Sequence, residues 1–141
     1  MTTLLDAYGL VAFLAGGPAA PRVRAILREG DAGVATANLA EALDVSQRVY
    51  GVPIQRALEV VEPLFEAGLR AVPLDLEVAA RAARIRAEHY HRASTPISLA
   101  DAVLIASAGQ GDRIATADPD VLAVSRAVGL EVVPLPQQPK G

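Results

Sequence analysis

Short apolar runs alternate with longer helical stretches along this 141-residue chain, and that alternation constrains the fold more than any other feature. Residues 3–6, 33–36, 69–74, 113–117 and 131–134 have the length and apolar character of strands. Helical stretches fill the gaps. The stretch 7–15 ends at Gly16-Gly17-Pro18, 21–29 opens on Pro21 and precedes Gly30, 38–50 is closed by Gly51, and 53–67 is stopped by Gly68. Asp75 stands where it can cap a helix running to about His91, and helices are expected at 98–109 and 119–128. Pro73 marks its strand as ending there or lying at a sheet edge. The pattern predicts a three-layer α/β/α domain with a mostly parallel central sheet of about five short strands. The length suits one domain, 1–135, followed by a tail at 136–141 that is expected to be disordered.

In a parallel sheet every strand hands over to its helix at the same edge, the carboxyl edge, where open α/β sheets bind ligands. Asp6 follows Thr3-Leu4-Leu5, Glu41 lies one turn into the segment opened by Thr36-Ala37-Asn38, Asp101 stands in Ser98-Leu99-Ala100-Asp101, and Asp118 ends Ile114-Ala115-Thr116-Ala117-Asp118. Each acid alone has an ordinary explanation as a helix cap. Asn38 with Glu41, and Ser98 with Asp101, have the spacing of a capping box, while Asp118-Pro119 reads as a helix start. Together they have another consequence. Like charges about 4–5 Å apart at an effective dielectric near 20 repel by roughly 3–4 kcal/mol per pair. Two or three such pairs would erase much of the ~5–15 kcal/mol that stabilises a small domain. Either the acids are protonated or well separated, or a hard cation such as Mg²⁺ or Mn²⁺ lies among them; the cation is the expected outcome.

These residues resemble the PIN-domain ribonucleases, and among them the VapC-type toxins of bacterial type II toxin–antitoxin pairs. The resemblance is carried by Leu4-Leu5-Asp6-Ala7, by Asn38-Leu39-Ala40-Glu41-Ala42-Leu43, by Ser98 to Ala106 and by Thr116-Ala117-Asp118-Pro119-Asp120. The segments around Asp101 and Asp118 are its most specific part, and it spans essentially the whole chain. It implies a PIN-like fold and a metal-dependent endoribonuclease that cleaves single-stranded regions of RNA in the cytoplasm. It also implies a homodimer or toxin–antitoxin hetero-oligomer, held inactive by a cognate antitoxin. By position, Asp6, Glu41, Asp101 and Asp118 would be the catalytic, metal-holding acids, with Asp120 a second candidate for the fourth place. Asp6 and Asp101 would make the most direct contacts with Mg²⁺ or Mn²⁺, Glu41 would hold the ion or orient the attacking water, and Asp118 would complete the site. Thr116 and Ser98 match polar positions that often line such sites. Among the apolar residues at helical spacing, including Val11, Phe13, Ile54, Leu58 and Val61, most are expected in the core and some at a dimer or antitoxin surface.

Other chemistries fit less well. With no cysteine, thiolate metal sites, thiol nucleophiles and disulfides are excluded. The net charge of −3 argues against gripping nucleic acid by bulk electrostatics but leaves room for a metal cluster and local arginines. A receiver-like phosphoacceptor needs a lysine by its phosphoryl site, and the only lysine is Lys140. An aspartyl phosphatase needs a second aspartate that Asp6-Ala7-Tyr8 lacks. A catalytically inert module binding RNA or a partner remains as the alternative, with all four acids present against it. His89 and His91, two residues apart, point in different directions on a helix and read as surface residues. Arg81, Arg84, Arg86 and Arg92 either meet phosphates or pair with Glu77 and Glu88 at i,i+4 spacing. Neither a signal peptide nor a span of bilayer length is read, so no membrane partner is expected.

Overall fold

The computed structural model describes residues 1–138. Strands β1 (Thr3–Leu5), β2 (Ala32–Ala35), β3 (Arg70–Val72), β4 (Arg113–Thr116) and β5 (Glu131–Pro134) form one sheet in the order β3-β2-β1-β4-β5. Every pairing is parallel, with Leu4 opposite both Gly33 and Ile114. The chain leaves β1 toward β2 and β3, then returns to the far side for β4 and β5. The order therefore reverses beside β1, and the carboxyl ends of β1 and β4 flank the crevice that such a reversal opens. Pro73 does follow an edge strand, where a missing N–H leaves no ladder bond unmade.

The helices are α1 (Ala7–Ala15), α2 (Ala20–Glu29), α3 (Thr36–Arg48), α4 (Ile54–Glu66), α5 (Leu76–His89), α6 (Leu99–Ala106) and α7 (Pro119–Ala127). Alternation along the strands assigns them to two layers. Leu5, Val34 and Ala115 pack on one face with Leu10, Val11, Val23 and Ile26 of α1 and α2. Leu4 and Ile114 point to the other, against Leu104 and Ile105 of α6 and Val121 and Val124 of α7. Ala35 joins Val78, Ala82 and Val103 beneath α5 and α6. Fully burying a Leu or Ile side chain contributes about 1.5–3 kcal/mol, so these layers supply most of the driving force. Gly33 is small because it must be: a Cβ there would stand 2.8 Å from Leu4 Cδ2.

Three local expectations change. Helix α3 begins at Thr36, not Asn38, and α5 ends at His89, so Glu88 and Arg92 share no helical face; among the described residues only Glu77 of that set forms an ion pair, 3.1 Å from Arg81. Arg86 instead lies 4.4 Å from the ring centre of Tyr90. Of the apolar stripes, Val61 is buried while Ile54 is exposed. No single helix among the described residues is long and apolar enough to cross a membrane; α1 and α2 together have the composition but meet at 105°, and each packs one face into the core. At the chain end, Leu135 is buried and Pro136 to Gln138 run beside α1, whereas the part of the expected disordered tail at 139–141 lies outside the described residues.

Candidate active site at the carboxyl edge

Asp6 ends β1 and caps α1, its Oδ1 accepting the Gly9 amide at 2.7 Å. Its own amide donates to Ala115 of β4, so the side chain is fixed between the two central strands. A side chain on Gly9 would crowd both Asp6 Oδ1 and Leu135, each at 3.2 Å, and the glycine lets α1 approach the carboxylate. Asp118 plays the corresponding part after β4: Oδ1 accepts from the amides of Asp120 and Val121, while Thr116 Oγ1 accepts the Asp118 amide at 3.1 Å. Thr116 is wholly buried.

Asp101 reaches the same edge by another route. No strand precedes it; the connection from Tyr90 to Ser98 delivers the start of α6, where Ser98 and Asp101 exchange amide bonds at 3.0 Å in a full capping box. The expected box between Asn38 and Glu41 is not made. Ala35 occupies the cap of α3 with no side-chain bond, and Asn38 sits inside the helix, buried, its Nδ2 donating to Ala100 at 3.3 Å. Asn38 thus ties the helix carrying Glu41 to the helix carrying Asp101. Its Oδ1 is buried without a partner among the described residues. The sequence signal for this is a polar residue one turn before Glu41, a spacing that fits a cap equally well.

Asp6, Asn38, Glu41, Asp101 and Asp118 all line one cleft of about 410 Å³, with Tyr8, Pro119, Gln137 and Gln138 on its walls. Asp120 does not line it, although its charge still acts on Asp101. Ser98 stays outside as the cap. Among the described residues no Lys, Arg or His lines the cleft. The electrostatic result is visible in the acids themselves. Burial pushes the Asp6 carboxyl up to about 6, against the opposing Thr116 and Gly9 hydrogen bonds, and Asp101 and Asp118 add to the rise. Glu41 is raised by burial, then by Asp101 and Asp44. Asp101 is raised by burial and by Asp118 and Asp120, with Ser98 acting the other way.

The donor set is all oxygen and strongly anionic, which suits a hard divalent cation. Asp6, Asp101 and Asp118 each use one named oxygen as a cap, leaving the second able to turn toward an ion. Yet among the described residues no three His, Cys, Asp or Glu side chains are arranged so that together they could hold a metal ion. The residues fit an ion that keeps several waters, as Mg²⁺ does, better than one held by protein alone. What the arrangement offers chemically is an oxygen-rich, anionic cleft whose described lining carries no basic side chain.

Comparison with curated proteins yields no match. Among solved structures, the chain is similar to DNA-bound VapBC from Salmonella typhimurium, at 23% identity and TM-score 0.69 over 95% of this chain and 98% of that one. It is also similar to FitAB bound to an IR36 DNA fragment, at 25% identity and TM-score 0.68 over 94% of each chain. FitAcB from Neisseria gonorrhoeae matches at 25% identity and TM-score 0.62, over 93% of this chain and 96% of that one. The family model for the PIN domain matches residues 3–127, the span that carries all four acids. With that match and with its parallel sheet and acid-lined cleft, the chain belongs to the PIN domain family of nucleases.

Proposed function

We propose that this protein is a divalent-cation-dependent endoribonuclease that cleaves single-stranded RNA and acts in the cytoplasm as the toxin of a toxin–antitoxin pair. The observation that carries the reading is the cleft that gathers Asp6, Glu41, Asp101 and Asp118 with no basic side chain beside them among the described residues, where burial and then neighbouring acids raise the proton affinity of Asp6, Glu41 and Asp101. A cap role accounts for the three aspartates but not for Glu41, whose carboxylate makes no hydrogen bond or ion pair among the described residues, and this favours catalysis over an inert binding module. Mg²⁺ or Mn²⁺, when bound, supplies charge neutralisation and water activation at the scissile phosphate. The protein's own part is positional. Asp6 and Asp101 hold the ion, Asp118 completes the site, and Glu41 orients the attacking water and takes up its proton. No side-chain nucleophile is required.

The toxin role rests on the similar structures, which are VapBC and FitAB complexes. A cognate antitoxin is accordingly the expected protein partner, with the toxin itself a homodimer. A test follows directly. Purified protein should cut a single-stranded RNA with Mn²⁺ or Mg²⁺ and not with EDTA, and Asp101→Asn should reduce the rate by at least about a hundredfold while keeping the fold. Undiminished cleavage by a folded Asp101→Asn protein would defeat the reading.

A further inference from the structure

The cleft has a wall that the acids do not explain. After β5 the chain crosses the carboxyl edge: the Leu135 amide donates to Thr116, the Tyr8 hydroxyl donates to Pro136 at 2.5 Å, and Gln137 Nε2 donates to the Ala117 carbonyl at 3.0 Å. This strap is anchored at three points on α1 and on the strand end that delivers Asp118. It brings two neutral amide side chains, Gln137 and Gln138, to the rim of a site otherwise lined by carboxylates. Tyr8, two residues after Asp6, is the only aromatic side chain lining the cleft among the described residues. A cleft of about 410 Å³ falls in the size range of small-molecule sites and exceeds what a hydrated ion needs.

We infer that Tyr8 and Gln137 read the nucleotide beside the scissile phosphate, Tyr8 giving its base an apolar aromatic surface and Gln137 a hydrogen-bonding edge. This rests on the nuclease reading above and adds the determinant of cut-site choice. The chemistry is suited to it. Unstacked bases of single-stranded RNA are recognised by stacking on aromatic rings and by hydrogen bonds to their edges. The Gln137 bond to Ala117 uses one N–H and fixes the amide, leaving Oε1 and the second N–H to discriminate acceptor from donor on a base. A charged reader would be poorly placed here: a cation would pair with the acids, and a further carboxylate would add to their repulsion.

The test is cut-site sequencing of a randomised single-stranded RNA pool with Mn²⁺, using the full chain. Wild type should show a base preference at a position flanking the cut, and Gln137→Ala should lower it about fivefold or more. On one preferred oligonucleotide, Tyr8→Leu should raise KM about fivefold or more with the smaller effect on kcat, and Tyr8→Phe, which keeps the ring, should hold KM within about twofold of wild type. An unchanged base profile in Gln137→Ala, a uniform loss of rate at every sequence, or a wild type without preference would overturn the assignment and leave the nuclease standing. A wild type that cuts no RNA with either cation overturns both.

Discussion

The two edges of this sheet are built from similar residues to opposite ends. At the amino edge, where strands begin, charges of both signs mix: Arg70, Arg113 and Glu131 open their strands, and Asp31 and Asp112 precede theirs. Asp112 and Arg70 find partners there, while Arg113 Nε is buried without one among the described residues. Asp112 accepts the amides of Thr2 at 2.9 Å and Gly109 at 2.8 Å, and Arg70 donates to Thr2 Oγ1 at 2.7 Å. At the carboxyl edge the aspartates keep their capping bonds to backbone amides but meet no basic side chain among the described lining, and the proton affinity of Asp6 and Asp101 rises. Polar groups matched within the protein stabilise it; carboxylates gathered without a counter-charge hold energy that an incoming cation can release. The difference separates scaffold from site without reference to any relative.

The strongest way to break that contrast is at Asp6. Its carboxyl pKa is raised above the ordinary 3.8 to about 6, so the folded state binds its proton more tightly than the unfolded state. The stability this contributes is complete below about pH 4 and is lost as pH rises through 6. Without divalent cation, Asp6→Asn should therefore stabilise the protein at pH 7 by about 3 kcal/mol while keeping the α1 cap, since asparagine caps equally well. Thermal melts in EDTA from pH 4 to 8 check it: the gap between variant and wild type should open with rising pH. A gap that stays constant would show that Asp6 is not strained.

The mirror experiment lies at the other edge. Asp112→Ala leaves two amides without their acceptor and should destabilise by about 2 kcal/mol, with RNA cleavage per folded molecule unchanged. Denaturant melts and activity on the same sample read both quantities. Destabilisation with loss of cleavage would dissolve the distinction between edges. Smallest is the effect expected on an exposed helix. Glu77→Gln removes the ion pair with Arg81 and should shift stability by less than about 0.5 kcal/mol in the same melts, which fixes the background against which the edges are judged.

The unequal legibility of these regions has a physical basis. Strand–helix alternation is a local signal reinforced by glycine and proline at the ends, so all five strands and seven helices could be placed from the sequence, and the capping residues Asp6, Asp75, Ser98 and Asp118 make bonds of the expected kind. The acids also announced themselves, because a parallel sheet sends its strand ends to one side. What stayed hidden depends on distance in sequence. Asn38 meets Ala100 across 62 residues, and no local pattern distinguishes that bond from a cap. Asp101 enters after a loop instead of a strand, and only the folded α6 shows how it arrives. In sequence, Pro136 to Gln138 is a short polar run with no periodicity, and only its bonds to Tyr8 and Ala117, 128 and 20 positions away, place it on the cleft.

Calorimetric titration with Mn²⁺ at pH 7 tests the central claim most directly. Wild type should bind saturably with proton release, because carboxyls raised by burial and by neighbouring acids give up their protons to the ion, and Asp6→Asn with Asp101→Asn should abolish the binding. A flat titration of wild type, or equal binding by the double variant, would contradict the account.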